Sequence, residues 1–199
     1  MRGNVVLSIA CALCLGLTAV ATQGASAAVA TKRVSIHLFS GESISPDYHV
    51  VSFVRGSCPS SGAARRRDSL RCFAGNLVID PCFRPPSGND VGFALCLAGS
   101  PFGRRLLRIA LTEPLQLLER HPQQGAEYPW AVQLDTERTC QLATGALGVV
   151  AGKVPDYYCG GGGALGNRVH EVGTHWWAWF TSSYTHPHWM KVGIRLAAF

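Results

Sequence analysis

The sequence predicts an all-β fold, a disulfide-stapled β-sandwich or barrel-like domain of many short antiparallel strands. Three observations predict it. Short apolar runs alternate with a period of two, turn residues interrupt the chain at short intervals, and the cysteines are spaced along these runs. At 199 residues with 47% hydrophobic content, the chain is long enough for one good core and short for two, so a single domain is expected.

The first 30 residues stand apart from this fold. Arg2 precedes an apolar run, Val5–Val20, followed by the small-residue sites Ala25-Ser26-Ala27 and Ala28-Val29-Ala30, the pattern of a secretory signal peptide. The run is short and broken by Ser8, Gly16 and Thr18, where a bilayer span needs about 20 apolar residues. Residues 31–199 are then a secreted β domain, with N-terminal strands and a basic loop over 31–70 and a core over 71–199, and with no membrane span after signal removal. Signal removal takes away Cys11 and Cys14 and leaves Cys58, Cys72, Cys82, Cys96, Cys140 and Cys159. An even number of cysteines in an oxidising compartment, with no C-x-x-C pair among them, reads as a disulfide framework rather than a metal site. Six cysteines allow 15 connectivities. The expected one joins sequence neighbours, Cys58–Cys72, Cys82–Cys96 and Cys140–Cys159, although loop entropy alone does not choose it. The formal charge of +6 falls by one when Arg2 leaves, a modestly basic balance suited to an anionic envelope polymer and equally to plain solubility. No nucleic-acid partner is expected, and oligomeric state is not legible.

Taken in order, Arg33–Leu38 alternates with Val34, Ile36 and Leu38 on one face, a half-buried strand. His49–Val54 is a second strand, and Gly56–Asp68, without apolar periodicity, reads as a surface loop with Arg65-Arg66-Arg67 at a solvated tip. Arg71–Phe73 and Leu77–Ile79 flank the turn Ala74-Gly75-Asn76, and Asp80-Pro81 is expected to end the second of them. After an Arg84–Asp90 loop, Val91–Leu97 and Arg104–Thr112 read as strands, the latter with Arg104, Arg105 and Arg108 on a solvated edge. A helix over Leu106–Leu118 is the alternative there, and Pro114 would break it. His121–Tyr128 reads as a loop. Trp130, Val132 and Leu134 share a face, as do Arg138, Cys140 and Leu142 across the turn Asp135-Thr136-Glu137. Val149–Cys159 forms a hairpin that returns Cys159 to Cys140. The Gly160–Gly163 run lacks the Lys-Ser/Thr of a phosphate loop and reads as a flexible connector. The last segment is a terminal hairpin, with Met190, Val192, Ile194 and Leu196 facing inward.

No catalytic residue is assigned. His170-Glu171-Val172-Gly173-Thr174-His175 differs from the zinc-protease pattern because its histidines are five apart, about 140° on a helix and on opposite faces of a strand. Loop residues His186 and His188 are read as solvated, so no metal or other cofactor is expected. No Gly-x-Ser-x-Gly elbow occurs, and a carboxylate pair such as Asp80 with Glu171 has nothing in the sequence to unite it. The best surface candidate is Trp176-Trp177-Ala178-Trp179-Phe180. Trp176, Ala178 and Phe180 form its purely apolar set and belong inside. Trp177 and Trp179 then lie outside near Lys191 and Arg195, poised for cation–π contact. The bland reading is that both cover a second small core under the Arg65 or Arg104 loops.

The succession Arg71-Cys72-x5-Val78-x-Asp80-Pro81-Cys82-Phe83, Pro129-Trp130-Ala131-Val132-Gln133-Leu134, Cys140-x3-Thr144-Gly145 and Cys159-Gly160 resembles uncharacterised secreted proteins common in actinobacteria and other Gram-positive bacteria. The resemblance runs from Arg71 to the C-terminus. It implies secretion and a stapled β domain, and supplies no catalytic residue. The expected function is therefore a secreted, non-enzymatic binding or interaction protein of the envelope or extracellular space. Its contact residues would be Trp177, Trp179, Lys191 and Arg195, and its partner an anionic envelope polymer, a glycan or another protein. The alternatives are a secreted hydrolase with a dispersed His/carboxylate site and an inhibitor presenting the loop Pro85–Asp90.

Overall fold

The structure, a computed structural model, describes residues 29–87, 92–115, 128–144 and 148–199; the expected signal peptide therefore lies almost wholly outside the described residues. The described residues contain fourteen strands and no helix, so the all-β class holds. β1 (Lys32–Val34) and the small hairpin β2 (Phe39–Ser40) and β3 (Ser43–Ile44) precede two closed sheets.

The first sheet is a five-stranded meander: β4 (His49–Ser61), β5 (Ser69–Ala74), β6 (Leu77–Phe83), β7 (Phe93–Leu97) and β8 (Arg105–Leu111). The second runs β9 (Ala131–Leu134), β10 (Thr139–Leu142), β11 (Pro155–Cys159), β12 (Ala164–Val172), β13 (His175–Thr181) and β14 (Met190–Ala198), with β14 returning to β9. Strand parity dictates how each closes. In a meander every successive strand reverses, so a fifth strand runs parallel to the first and a sixth antiparallel to it. Accordingly β4 pairs with β8 in parallel, and β14 pairs with β9 antiparallel. β1 adds to β14 in parallel beyond the stretch that β13 covers.

Three apolar clusters run through the described residues. Cys58, Leu70, Cys72, Cys82, Ala94, Cys96 and Ile109 pack inside the first barrel. Val132, Leu134, Tyr157, Leu165, Trp176, Phe180 and Ile194 pack inside the second. Between the barrels lie Ile36, Leu38, Phe83, Leu95, Leu106, Trp130 and Ala198, contributed by the chain start, by the outer face of the first barrel and by the second. The three disulfides join Cys58–Cys72, Cys82–Cys96 and Cys140–Cys159, as the sequence order suggested. Two of them link residues directly opposite each other on neighbouring strands, Cys82 with Cys96 and Cys140 with Cys159.

Several local expectations are corrected. The predicted loop from Gly56 begins as strand: β4 continues to Ser61, because the narrow barrel needs small inward residues there, and small residues leave no apolar signature. A Cβ at Gly56 would stand 2.2 Å from the Phe73 carbonyl oxygen. β6 passes through Asp80-Pro81 to Phe83 instead of ending at it. Asp80 accepts the Ala63 amide at 2.6 Å and approaches Arg71 Nε at 3.8 Å, while burial, the larger influence, raises its carboxyl pKa. β8 is the expected strand, but it is no edge, since barrel closure gives it β4 on one side and β7 on the other. Arg108 sits over the Phe93 ring at 4.1 Å. Arg66 is no solvated tip either: it holds Asp68 at 2.6 Å, donates to the Ile36 carbonyl and covers the Phe83 ring.

In the second barrel, Gly160–Gly163 is a hairpin turn between β11 and β12 rather than a connector. Arg138 Nη1 donates to the Gly162 carbonyl and the Tyr184 hydroxyl to that of Gly163, each at 2.6 Å. The Gly163 backbone runs so close to the next strand that a Cβ would come within 2.4 Å of the Thr181 oxygen. In β14, Val192 and Ile194 point inward as expected, but Met190 is 45% exposed at the strand's start. A register shift between Ile194 and Leu196 then turns Ala197 into the barrel and Ala198 towards the cluster between the barrels, and leaves Leu196 half-buried.

Candidate functional site: an aromatic groove on the second barrel

Parity along β13 sorts its five aromatic-run residues as the sequence implies. Trp176, Ala178 and Phe180 are buried in the second barrel, while Trp177 and Trp179 are half-buried on its outer face. Trp176 is locked by the Phe199 ring edge at 5.9 Å and the Arg33 guanidinium at 4.8 Å. The neighbours of the outer tryptophans come from β12, from β14 and, for Trp179, from Lys153 in the turn before β11, not from the Arg65 or Arg104 loops.

In the β12–β13–β14 ladder, His170, Trp177 and Gly193 are consecutive cross-strand partners. The His170 ring stacks on Trp177 at 4.0 Å and 12°, closing the indole face on the β12 side. Trp179 meets Trp177 edge-on at 5.7 Å and is itself capped by Lys153 Nζ at 5.1 Å. The remaining face of Trp177 looks across Gly193. Because Gly193 carries no side chain, the sheet there is bare backbone, and a groove of about 810 Å³ opens between Trp177 and Asp135. Lys191, Arg195, His175 and Val172 line it further, and Val29 reaches its rim from the start of the described chain. That volume lies within the range of small-ligand sites.

The charged groups are arranged asymmetrically. Lys191 Nζ stands 4.3 Å from the Trp177 centroid, necessarily on the face His170 leaves open. Arg195 lines the groove while its guanidinium pairs with Glu137 at 3.3 Å on the surface. Asp135 folds onto the floor: its amide donates to the Gly193 carbonyl at 3.1 Å, and its Oδ2 accepts the Gly193 amide at 3.3 Å. Thr31 fixes the far end, its hydroxyl donating to the Ile194 carbonyl at 2.5 Å and accepting the Trp176 amide at 2.9 Å.

No family model, curated protein or solved structure matches the chain. The site is therefore read from its own chemistry. Of the four expected contact residues, the structure brings Trp177, Lys191 and Arg195 to one groove and places Trp179 behind Trp177 as a buttress. Sequence reasoning missed Gly193, Asp135 and His170. Gly193 had a legible signal, because a glycine inside an otherwise regular strand often marks a close approach by another group. Asp135 read as a turn residue, and its reach to β14 depends on the closure of β9 against β14.

The residues weighed for other chemistry are dispersed. Glu171 pairs with Arg33 on β1 at 3.1 Å, whereas Asp80 is engaged in the first barrel. His175 and His186 each contact the hydroxyl of the preceding threonine at 3.2 Å. Among the described residues, three potential metal-ligand atoms gather within 4.8 Å only at the Sγ atoms of Cys72, Cys82 and Cys96, all of them in disulfides. Of the loop Pro85–Asp90, Pro85 is buried, and residues 88–90 lie outside the described residues.

Proposed function

We propose that the chain is a secreted, non-enzymatic binding protein of the bacterial envelope or extracellular space, and that its groove holds an acidic glycan. The observation that carries this reading is the open face of Trp177 above the bare Gly193 backbone, with an ammonium already resting on that face. A sugar ring stacking on the indole must displace Lys191, giving up a cation–π contact of about 0.5–1 kcal/mol at an exposed site. A neutral sugar gives nothing back to the displaced charge. A uronate or phosphate offers the ammonium a charge-assisted hydrogen bond, which more than offsets the loss. Asp135 is placed to accept from ring hydroxyls, and Arg195 adds a second cation. Three disulfides fit an extracellular protein, and no helix among the described residues is long and apolar enough to cross a membrane.

Retention on immobilised cell-wall polysaccharide tests the reading. Wild type is expected to be retained on acidic polymer and released by salt, while Trp177→Ala is lost to the flow-through and Trp179→Ala is weakened. Retention unaffected by both substitutions would overturn it.

A further inference from the structure

The charges of the groove stand in a fixed order. Lys191, Gly193 and Arg195 alternate along β14 with the buried Val192 and Ile194, so all three turn to the groove side of the strand. Four residues of strand separate the two cations by about 13 Å. Gly193 lies midway between them, directly across the ladder from Trp177. Of the described residues that line the groove, Asp135 alone carries a carboxylate. It is held at that midpoint from the other side, exchanging hydrogen bonds with Gly193 at 3.1 and 3.3 Å. Along the groove the charges therefore run positive, negative, positive.

Neither cation cancels the carboxylate between them. Lys191 Nζ rests 4.3 Å from the Trp177 centroid, and Arg195 pairs with Glu137, which does not line the groove. The side chains of that pair are 50% and 77% exposed, so it holds weakly and yields to a ligand anion. A sugar ring lying on Trp177 above Gly193 thus has Asp135 beside it and a cation to either side. For this central ring a hydroxyl is a donor that Asp135 accepts, whereas an acidic group sets like charges together in a groove that water screens less than bulk. On the flanking units the preference reverses. One meets Arg195 and the other meets Lys191, displaced from the indole, and both favour an anion through charge-assisted hydrogen bonds.

We propose that the groove selects a glycan in which acidic units alternate with neutral ones, and that Asp135 is the residue that rejects charge on the central ring. The proposal rests on the reading of the groove as a site for an acidic glycan. A polymer charged at every unit satisfies both cations but sets its middle acid against Asp135. A neutral polymer satisfies Asp135 and leaves both cations without an anion. Only the alternating polymer meets all three groups, and the discrimination comes as much from repulsion of the wrong ligand as from attraction of the right one.

The experiment titrates the mature chain calorimetrically, at one ionic strength, with two oligosaccharides of equal length. Hyaluronan alternates glucuronate with a neutral N-acetylated sugar, and oligogalacturonate is acidic at every ring. Wild type is expected to bind hyaluronan at least about tenfold more tightly. Asp135→Asn keeps an oxygen to accept the Gly193 amide while removing the charge. It should bring the two affinities to within about threefold of each other, chiefly by tightening oligogalacturonate. Asp135→Ser removes the same charge with a different side chain and should narrow the ratio likewise, and Asp135 is exposed, so both variants should unfold at the wild-type temperature. Lys191→Gln and Arg195→Gln should each weaken hyaluronan binding about tenfold, the loss of one charge-assisted hydrogen bond. Equal binding of the two polymers by wild type, tighter binding of oligogalacturonate, or a ratio that both Asp135 variants leave unchanged would overturn the proposal and leave the glycan reading standing. Binding of neither polymer would overturn the glycan reading and the proposal with it.

Discussion

The two barrels solve one problem with different materials. The first, with five strands, is narrow, and four of its inward residues are cysteines joined in two disulfides. The second, with six, is wide enough for Trp176, Tyr157 and Phe180 inside and carries one disulfide. A small enclosed sheet buries too little apolar area to be secure on its own, and covalent links substitute for area. The wider barrel is held by packing, and its aromatic supply suffices for both faces of β13. Hence the surface with recognisable chemistry lies on the barrel that least needs staples.

This contrast can be broken at either end. Trp176→Ala should have the largest effect, a loss of about 3–5 kcal/mol in urea unfolding, because it empties the wide core and strips Arg33 and Phe199 of their partner. On the neighbouring position of the same strand, Trp177→Ala should cost under about 1 kcal/mol. Next comes the double variant Cys82→Ala, Cys96→Ala, expected to lose roughly 3 kcal/mol through freedom restored to the unfolded chain. Native-state hydrogen exchange should place that loss in β6 and β7; a loss spread equally over β9–β14 would mean the barrels are not distinct in what holds them.

A smaller effect tests the packing of the second barrel by pH. Burial, helped by the nearby Asp156 charge, raises the Tyr157 phenol well above its ordinary value of about 10. The folded state therefore keeps a proton that the unfolded chain releases. Its contribution is complete below about pH 10 and is lost as pH rises towards the folded value. Tyr157→Phe should lose about 1 kcal/mol at neutral pH with the Pro129 hydrogen bond, and unfolding curves from pH 9 to 11 should flatten relative to wild type.

Much of this architecture was legible in the chain. Period-two alternation found most strands, cysteine order gave the pairing, and the charge-free set Trp176, Ala178 and Phe180 identified the inner face. What stayed hidden depends on closure. Arg105 and Arg108 look like edge residues until β4 is known to pair beside them. Gly56 to Ser61 look like loop because the inward positions, Gly56 and Cys58, are small and the outward ones are serine and proline. The groove needed Asp135 and Gly193, fifty-eight positions apart, to meet where β9 closes on β14. No local periodicity records that meeting.

The most direct test fills the groove floor. At Gly193 an added Cβ meets the end of the Asp135 side chain at 3.1 Å, a contact that a flexible carboxylate can yield to, so Gly193→Val should fold. Titrating wild type and this variant with an acidic cell-wall oligosaccharide, read by tryptophan fluorescence, should show saturable binding by wild type. The variant should lose at least about tenfold in affinity while keeping its unfolding temperature. Equal affinity in a correctly folded Gly193→Val would contradict the account, because the ligand would then bind somewhere other than the face of Trp177.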